Sequence, residues 1–481
     1  MKRIYIIYIC LAMLFSGCSK FLDVRPKSEK LESELFTTPK GFEDAIYGVY
    51  GSMTRTSLYG KDLLWGITEV LAQNLDGGST DNKALAKYDY TSNATLHSRL
   101  LATWTDAYET IGYANNVLRQ LQDHSSATLP LYNRYRGEML GLRAYLHFDL
   151  LRLFAPTQPE ATGIPYVMTY DQQVKPFLTV GEVYKAILAD LHEAEALLGD
   201  EAKTIVYPHD NTNYYAFQNY QETHFNLYAV YGLLSRVYMT MGNKDKAAEY
   251  ALRIVDGSAF PLVTETEVKD YLAGTLSPKE TIFGLYSNTY QSTCESYLHY
   301  YTSYHSYSPY YNGSGTDFLM PYTKVYEQDV ALTEQDYRKE GHFVEDKGYA
   351  IFRKLTNWYA IDHQPAKDRQ DLTPGITLMH TSEFYLLAAE ALLDTDYEHA
   401  ISLYNTEVKS RGLTPLRADQ ALSLQRISNE FRKEMFGEGQ TWYRMKRLGD
   451  DIISNAEQKT VTASNAVYVI PIPTEEYEYR Q

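Results

Sequence analysis

Hydrophobic residues recur at helical spacing in the first half of the chain. Trp104, Tyr108 and Ile111 follow one another at steps of four and three, which places them on one face of a helix. Thr179 and Glu182 have the spacing of a capping box, a signal for the start of a helix. The pattern predicts helices over 104–118, 136–154, 179–199, 225–237 and 243–252.

Helical spacing is lost from about 258 to 375, where Gly, Pro, Ser, Asn and Tyr are frequent. It returns over 378–392, 401–411 and 424–448. Helix pairs joined by short turns and packed through small residues such as Ala247 and Ala248 are similar to tetratricopeptide units, but the spacing between the pairs varies and the repeat pattern alone does not identify them. We therefore expect a mostly all-α fold, with a helix-pair scaffold over about 100–257 and 376–450 and a large irregular excursion over about 258–375.

The amino terminus has the plan of a signal peptide. Lys2 and Arg3 precede an apolar run over 4–15, and small residues then lead to Cys18. Twelve apolar residues are too few for a membrane span, which needs about 20. We expect residues 1–17 to be removed, Cys18 to be lipidated with palmitate-type chains, and residues 18–481 to form a single domain held at a membrane by the anchor alone.

Composition and charge exclude several function classes. The chain has 481 residues, of which 44% are hydrophobic and 22% charged, as in folded proteins. Its formal net charge of -16 opposes contact with phosphate backbones, so nucleic-acid binding is not expected. The three cysteines, Cys10, Cys18 and Cys294, have no zinc-binding spacing.

Several separated motifs resemble those of one family. The segment after Cys18 reads Ser-Lys-Phe-Leu-Asp, and helical motifs follow over 104–118 and 137–154. Near the carboxyl terminus stand a glutamate-rich helix over 383–391, the block Phe-Arg-Lys-Glu-Met-Phe-Gly-Glu-Gly-Gln-Thr-Trp-Tyr over 431–443 and a closing Val-Ile-Pro-Ile-Pro. In this order the motifs resemble those of SusD/RagB lipoproteins, although His380 stands where that family commonly has arginine.

The resemblance implies a location and a partner. SusD/RagB proteins are outer-membrane lipoproteins that face the cell exterior and deliver nutrients to a SusC-like TonB-dependent transporter. Relatives capture glycans or oligopeptides through the loop before the first core helix and the irregular middle. In this chain those stretches are 76–99 and 297–359.

Tyrosines are the candidate ligand contacts, since aromatic faces stack on sugar rings and phenol hydroxyls bond to sugar hydroxyls or peptide carbonyls. The chain has 45 of them, and the densest cluster lies in the irregular middle. The candidates are Tyr297, Tyr300, Tyr301, Tyr304, Tyr307, Tyr310 and Tyr311, joined by region by Tyr88, Tyr90, Trp358 and Tyr359. The alternative is that these side chains pack loops.

Other sites are weaker candidates. The oxygen-rich segment 76–81 is compatible with calcium but also with a plain turn, and no other cofactor is expected. Glu383 and Glu390 lie on one helix face and cannot flank a glycosidic bond, so we interpret them as buried partners of arginines such as Arg143 or Arg432.

The sequence favours a binding protein over an enzyme. His192 and Glu193 begin a zincin-like helix motif, but Ala196 stands where the second histidine is required. Oligosaccharide capture is the preferred hypothesis. Oligopeptide capture by the same mechanism and a structural surface lipoprotein without ligand are the alternatives.

Overall fold

The computed structural model describes residues 32–480 apart from 76–78, 210, 212–215, 258, 269–275, 278, 291, 295–324, 332–333, 347–348, 353, 355–373, 455–458 and 479. Cys18, the tyrosine cluster over 297–311, Trp358 and Tyr359 therefore lie outside the described residues. Helices dominate the described part, and its sheets have two strands each. The expected mostly all-α, tetratricopeptide-like fold is confirmed.

The amino-terminal part contains helices that the periodicity did not predict. Pro39 occupies the first turn of one of them, and the Thr38 side chain accepts a hydrogen bond from the Gly41 amide, so local capping starts that helix. A π-helix over Asp62–Gly66 precedes the next short helix. The α-helices are α1 (Glu32–Leu35), α2 (Pro39–Met53), α3 (Thr68–Leu71), α4 (Thr80–Ala86) and α5 (Ala94–Gln120).

The next helices match the predicted elements closely. They are α6 (Tyr132–Phe154), α7 (Val180–Leu198), α8 (Leu227–Thr240) and α9 (Lys244–Val255). The capping box of Thr179 and Glu182 is formed in both directions at the start of α7. From α5 to α9 each helix packs on the next, which buries a continuous core between them.

Among the described residues that follow α9, short strands and one short helix interrupt the helical series. They are β1 (Thr281–Tyr286), α10 (Tyr337–His342), β2 (Phe343–Asp346), β3 (Tyr349–Phe352) and β4 (Gly375–His380). β1 pairs antiparallel with β4, and β2 pairs with β3. Leu378 therefore belongs to a strand and not to the predicted helix over 378–392, because β1 supplies it with a partner from far earlier in the chain.

The helical series then resumes with α11 (Thr381–Leu392), α12 (Tyr397–Ser410), α13 (Leu424–Glu434) and α14 (Gln440–Leu448). α11 packs directly on α9. The single helix predicted over 424–448 is wrong: it breaks between α13 and α14, where Gly437 and Gly439 have φ values of 85° and 77°. Residues 435–439 form the α13–α14 turn, and α14 packs on α3 directly after it.

The carboxyl terminus returns to the first helices. It contains β5 (Ile452–Ile453), β6 (Thr460–Val461), α15 (Asn465–Tyr468) and α16 (Glu475–Glu478). The Ile470 amide donates to the Leu153 carbonyl, and the indole N–H of Trp104 donates to Glu476 at 2.9 Å. These contacts seat the terminal segment against α5 and α6.

Candidate binding region

Two tyrosines of the candidate set lie in the described part, and both pack against the scaffold. Tyr90 is 6% exposed, and its hydroxyl donates to the Val467 carbonyl. The Tyr88 ring stacks on Trp442 at 6.2 Å, and its hydroxyl donates to the Leu71 carbonyl. Both side chains hold the segment before α5 in place, and a ligand contact by either stays a prediction.

Two residues of the irregular middle attach to the end of α13 and to the α13–α14 turn. Lys354 donates to the carbonyls of Glu434 and Phe436 at 3.0 and 3.1 Å, and it pairs with Glu438 at 2.6 Å. Tyr326, close behind the tyrosine-rich segment, donates to the Lys433 carbonyl at 2.8 Å. Tyr326 and Lys354, both within the stretch 297–359, are thereby fixed to the same part of the scaffold.

The loop before α5 attaches to the same turn from its other side. The Gly439 amide donates to Glu69 at 2.8 Å, and Arg432 donates to the Asn74 amide oxygen at 2.6 Å. Burial raises the pKa of Glu69 to about 7. Residues just before the first stretch, 76–99, and residues within the second, 297–359, therefore contact the end of α13 or the α13–α14 turn.

A buried ion network supports this arrangement. Arg338 of α10 contacts both oxygens of Asp336 at 2.9 and 2.7 Å and reaches Glu434 of α13 at 2.8 Å. Arg411, just after α12, contacts Glu434 at 2.7 Å and Glu280 at 3.1 Å. The network joins Glu280 and Arg338 of the irregular middle to the helical scaffold, and removing one partner would leave a buried charge unpaired.

His380 extends the network to the turn as a cation. Its Nε2 contacts Glu438 at 2.9 Å, and its Nδ1 contacts the Ser382 hydroxyl at 2.6 Å. That hydroxyl donates to Glu434, so both ring nitrogens act as donors. Burial would lower the pKa of His380, but the charge of Glu438 and the hydrogen bond to it raise it. The carboxylate of Glu438 is thus shared between His380 and Lys354, on either side of segment 355–373.

The structure offers limited support for metal sites. Glu280, His380 and Glu434 place one potential ligand atom each within 4.8 Å of one another. Arg411 already neutralises Glu280, and both His380 nitrogens have acceptors, so the group fits an ion-pair network better than a metal. Of the segment considered for calcium, Asp81 pairs with Arg99 at 3.2 Å, and residues 76–78 lie outside the described part.

The glutamates of α11 are buried partners of arginines, but not of those expected. Glu383 contacts Arg236 at 2.7 and 2.5 Å, and Glu390 contacts Arg444 at 2.7 Å. Arg143, one of the expected partners, pairs instead with Asp190 at 2.6 Å. The other, Arg432, bonds to Asn74. Sequence could identify the chemistry of the pairs but not which helices would face each other.

Comparison with known proteins identifies the family. A family model described as starch-binding proteins associating with the outer membrane matches residues 20–239, and the SusD family model matches residues 286–481. The chain belongs to the SusD/RagB family. No curated protein matches this SusD/RagB chain significantly in sequence. No helix in the described part of the chain combines the length and apolar character that a membrane span requires.

Solved structures show the same SusD fold. A SusD superfamily protein of Bacteroides thetaiotaomicron is 22% identical, with a TM-score of 0.68 over 92% of this chain and 98% of its own. One from Bacteroides fragilis is 21% identical, with a TM-score of 0.69 over 92% and 98%. A laminarin-binding SusD-like protein is 19% identical, with a TM-score of 0.65 over 94% and 98%.

Proposed function

We propose that this SusD/RagB-family protein captures oligosaccharides and passes them to a SusC-like TonB-dependent transporter, without catalysing a reaction on them. The family assignment supports capture, and similar structures include a laminarin-binding protein and a surface glycan-binding protein of Bacteroides fluxus. The tyrosine-rich composition of 297–311 suits stacking on sugar rings.

One structural observation carries the proposal of a single binding region. The end of α13 and the α13–α14 turn contact Lys354 and Tyr326 on one side and Glu69, just before the stretch 76–99, on the other. Binding groups are positioned best when they emerge from rigid, packed elements. The tyrosine cluster over 297–311 is the proposed contact surface, with Trp358, Tyr359, Tyr88 and Tyr90 as neighbouring candidates.

The proposed location is the outer membrane, with the protein anchored through a lipid on Cys18 and facing the cell exterior. The amino-terminal signal pattern and the description of the matching family model support this location. Metabolic labelling with an alkyne-bearing fatty acid should mark the wild-type protein and not Cys18→Ser. Equal labelling of both would contradict the anchor.

The binding proposal is tested by calorimetric titration of the protein from residue 19 onward against a panel of glycans and tryptic oligopeptides. We expect heat with one glycan class. Changing Tyr300, Tyr304 and Tyr307 together to alanine should weaken that affinity about tenfold or more, since stacking on an aromatic ring stabilises a complex by roughly 1 kcal/mol per contact.

The matched control changes three exposed tyrosines outside both stretches, Tyr113, Tyr170 and Tyr477, to alanine. It should bind as the wild type does. Heat with peptides alone would favour the oligopeptide alternative. The absence of heat with every ligand would favour a structural role. An unchanged affinity of the triple variant at Tyr300, Tyr304 and Tyr307 would refute the tyrosine site.

A further inference from the structure

Glu69 of α3 is a buried carboxylate at the base of the first candidate stretch, 76–99. Its side chain is 0% exposed. One carboxylate oxygen accepts from the side-chain amide of Asn74 at 2.7 Å, and the other accepts from the backbone amide of Gly439 at 2.8 Å. A single carboxylate therefore joins the chain just before the stretch to the α13–α14 turn.

The Glu69 carboxylate forms no ion pair with any residue that the structure describes. Arg432 donates to the side-chain oxygen of Asn74 at 2.6 Å, so its charge reaches Glu69 through a neutral amide. Burial disfavours the ionised form of a carboxyl group that has no paired cation. Burial accordingly raises the pKa of Glu69 to about 7, although the hydrogen bonds from Asn74 and Gly439 act in the opposite direction.

The other titratable and charged groups around Glu69 keep their charge near neutral pH. Arg432 stays a cation. Burial raises the pKa of Tyr326, at the end of α13, and of Tyr88, before α5, so both phenols stay neutral. Glu438, in the turn, is already paired with two cations. Among these groups, Glu69 alone exchanges a proton near pH 7.

The hydrogen bonds of Glu69 are those of an ionised carboxylate. Both of its oxygens face N–H donors, from Asn74 and Gly439. A proton added to either oxygen would make that oxygen a donor that faces another donor. Protonation therefore replaces one hydrogen bond with a repulsive contact, and either Asn74 or Gly439 has to move.

The backbone at the base of the stretch is strained. Gln73 and Tyr88 have φ values of 56° and 59°, in the left-handed region that side chains disfavour. The Gln73 side-chain amide donates to the Tyr88 hydroxyl at 3.1 Å and to the Ala86 carbonyl at 3.0 Å, which joins the two strained residues to each other. Such conformations persist only where surrounding contacts enforce them. A movement of Asn74, next to Gln73, would let this base relax.

We propose that Glu69 positions the first candidate stretch only while it is ionised, so that oligosaccharide capture weakens as the pH falls below neutral. The inference rests on the proposed capture of oligosaccharide and adds a proton to its control. Asn74 passes the charge state of Glu69 to the strained base of the stretch, and Gly439 passes it to the α13–α14 turn.

The test measures affinity by calorimetry at pH 6 and pH 8, with the glycan that gives heat in the panel titration. A carboxyl group with a pKa of about 7 is about nine-tenths ionised at pH 8 and about one-tenth ionised at pH 6. The wild-type protein should bind about threefold to tenfold more weakly at pH 6, as expected when one hydrogen bond that orders a binding segment is lost. Glu69→Gln should show the weaker affinity at both pH values.

Glu398→Gln is the matched control, because Glu398 is exposed on α12. It should show the wild-type affinity at each pH. Equal wild-type affinities at pH 6 and pH 8 would refute the inference and leave oligosaccharide capture standing. If Glu69→Gln keeps the wild-type pH dependence, another group such as His380 causes it, and the inference is again refuted.

A second measurement needs no ligand and separates the inference from the proposed function. A carboxyl group whose pKa is raised by folding stabilises the folded chain while it is protonated, and this contribution is lost as the pH rises through about 7. Urea unfolding should therefore show the wild type losing stability relative to Glu69→Gln between pH 6 and pH 8. A constant difference between the two proteins would overturn the inference even if the glycan binds. If the wild type binds no glycan at either pH, control of capture fails together with capture.

Discussion

At the scale of single residues, His147 shows how burial fixes a protonation state. Its Nδ1–H donates to the Arg143 carbonyl at 2.8 Å, and its Nε2 accepts from the Val167 amide at 3.0 Å. The ring is fully buried and stacks on Tyr166 at 3.9 Å. A second proton on Nε2 would break the bond from Val167, and burial lowers the pKa of His147 to about 3.

The pKa of His147 predicts a loss of stability in acid. Below pH about 6.5, His147 binds a proton in the unfolded chain but stays neutral in the folded chain. The free energy of unfolding therefore falls as the pH drops toward 3. At pH 5 this effect amounts to about 2 kcal/mol relative to pH 7.5. Urea unfolding at both pH values should show a smaller difference for His147→Gln than for the wild type. The control His399→Gln, at an exposed histidine, should keep the wild-type difference in the free energy of unfolding between the two pH values. If His147→Gln also keeps that difference, His147 is not the cause of the loss of stability in acid.

Sequence reasoning at this scale identified kinds of residue better than their partners. Glu383 and Glu390 were interpreted as partners of buried arginines, and they are. Arg236 and Arg444 could not be named, because those pairs depend on which helix faces pack together.

At the scale of elements, the α13–α14 turn depends on the backbone of Gly439. Its φ is 77°, a conformation that side chains disfavour, and an added Cβ would lie 2.7 Å from the Thr68 hydroxyl and 2.8 Å from the carbonyls of Leu63 and Leu64. The start of α14 thus sits tightly against the π-helix and α3. No other residue fits here without displacement.

Gly439→Ala should therefore destabilise the protein by about 3 kcal/mol or more, through both the backbone and the contact. Gly449→Ala is the matched control, because Gly449 has a φ of 68° but nothing within 4 Å of an added Cβ. That change should cost only about 1–2 kcal/mol. Urea unfolding measures both, and equal losses would show that close packing at Gly439 does not matter.

Helices could be predicted where the helical spacing of hydrophobic residues continues over many consecutive residues. α6, α7 and α8 agree with the hydrophobic pattern to within a few residues. The break between α13 and α14 had a visible signal in Gly437 and Gly439, which the longer period obscured. β1 and β4 had none, because each strand is short and its partner is remote in sequence.

At the scale of the whole molecule, two scaffold helices are neighbours although the irregular middle separates them in sequence. α9 packs directly on α11, and the ends of segment 295–324 are fixed by Cys294 and Val325, which are 0% and 3% exposed. The stretch between those two residues can therefore be exchanged while both attachment points are kept.

Replacing residues 295–324 with a glycine–serine sequence of equal length should remove glycan binding and leave the helical circular dichroism intact. Since the number of residues is unchanged, the free energy of unfolding should stay within about 2 kcal/mol of the wild type. Calorimetry and urea unfolding test the two halves of this prediction. Loss of cooperative unfolding would show that the segment is part of the scaffold.

The direct contact of α9 with α11 also has an evolutionary consequence. These two helices are neighbours across an inserted stretch of sequence. Part of that stretch is structural, because Arg338 and Tyr326 bond to α13 within the core. If the protein captures nutrients as proposed, its specificity can change through exchange of the remaining inserted sequence while the surrounding helices are inherited unchanged.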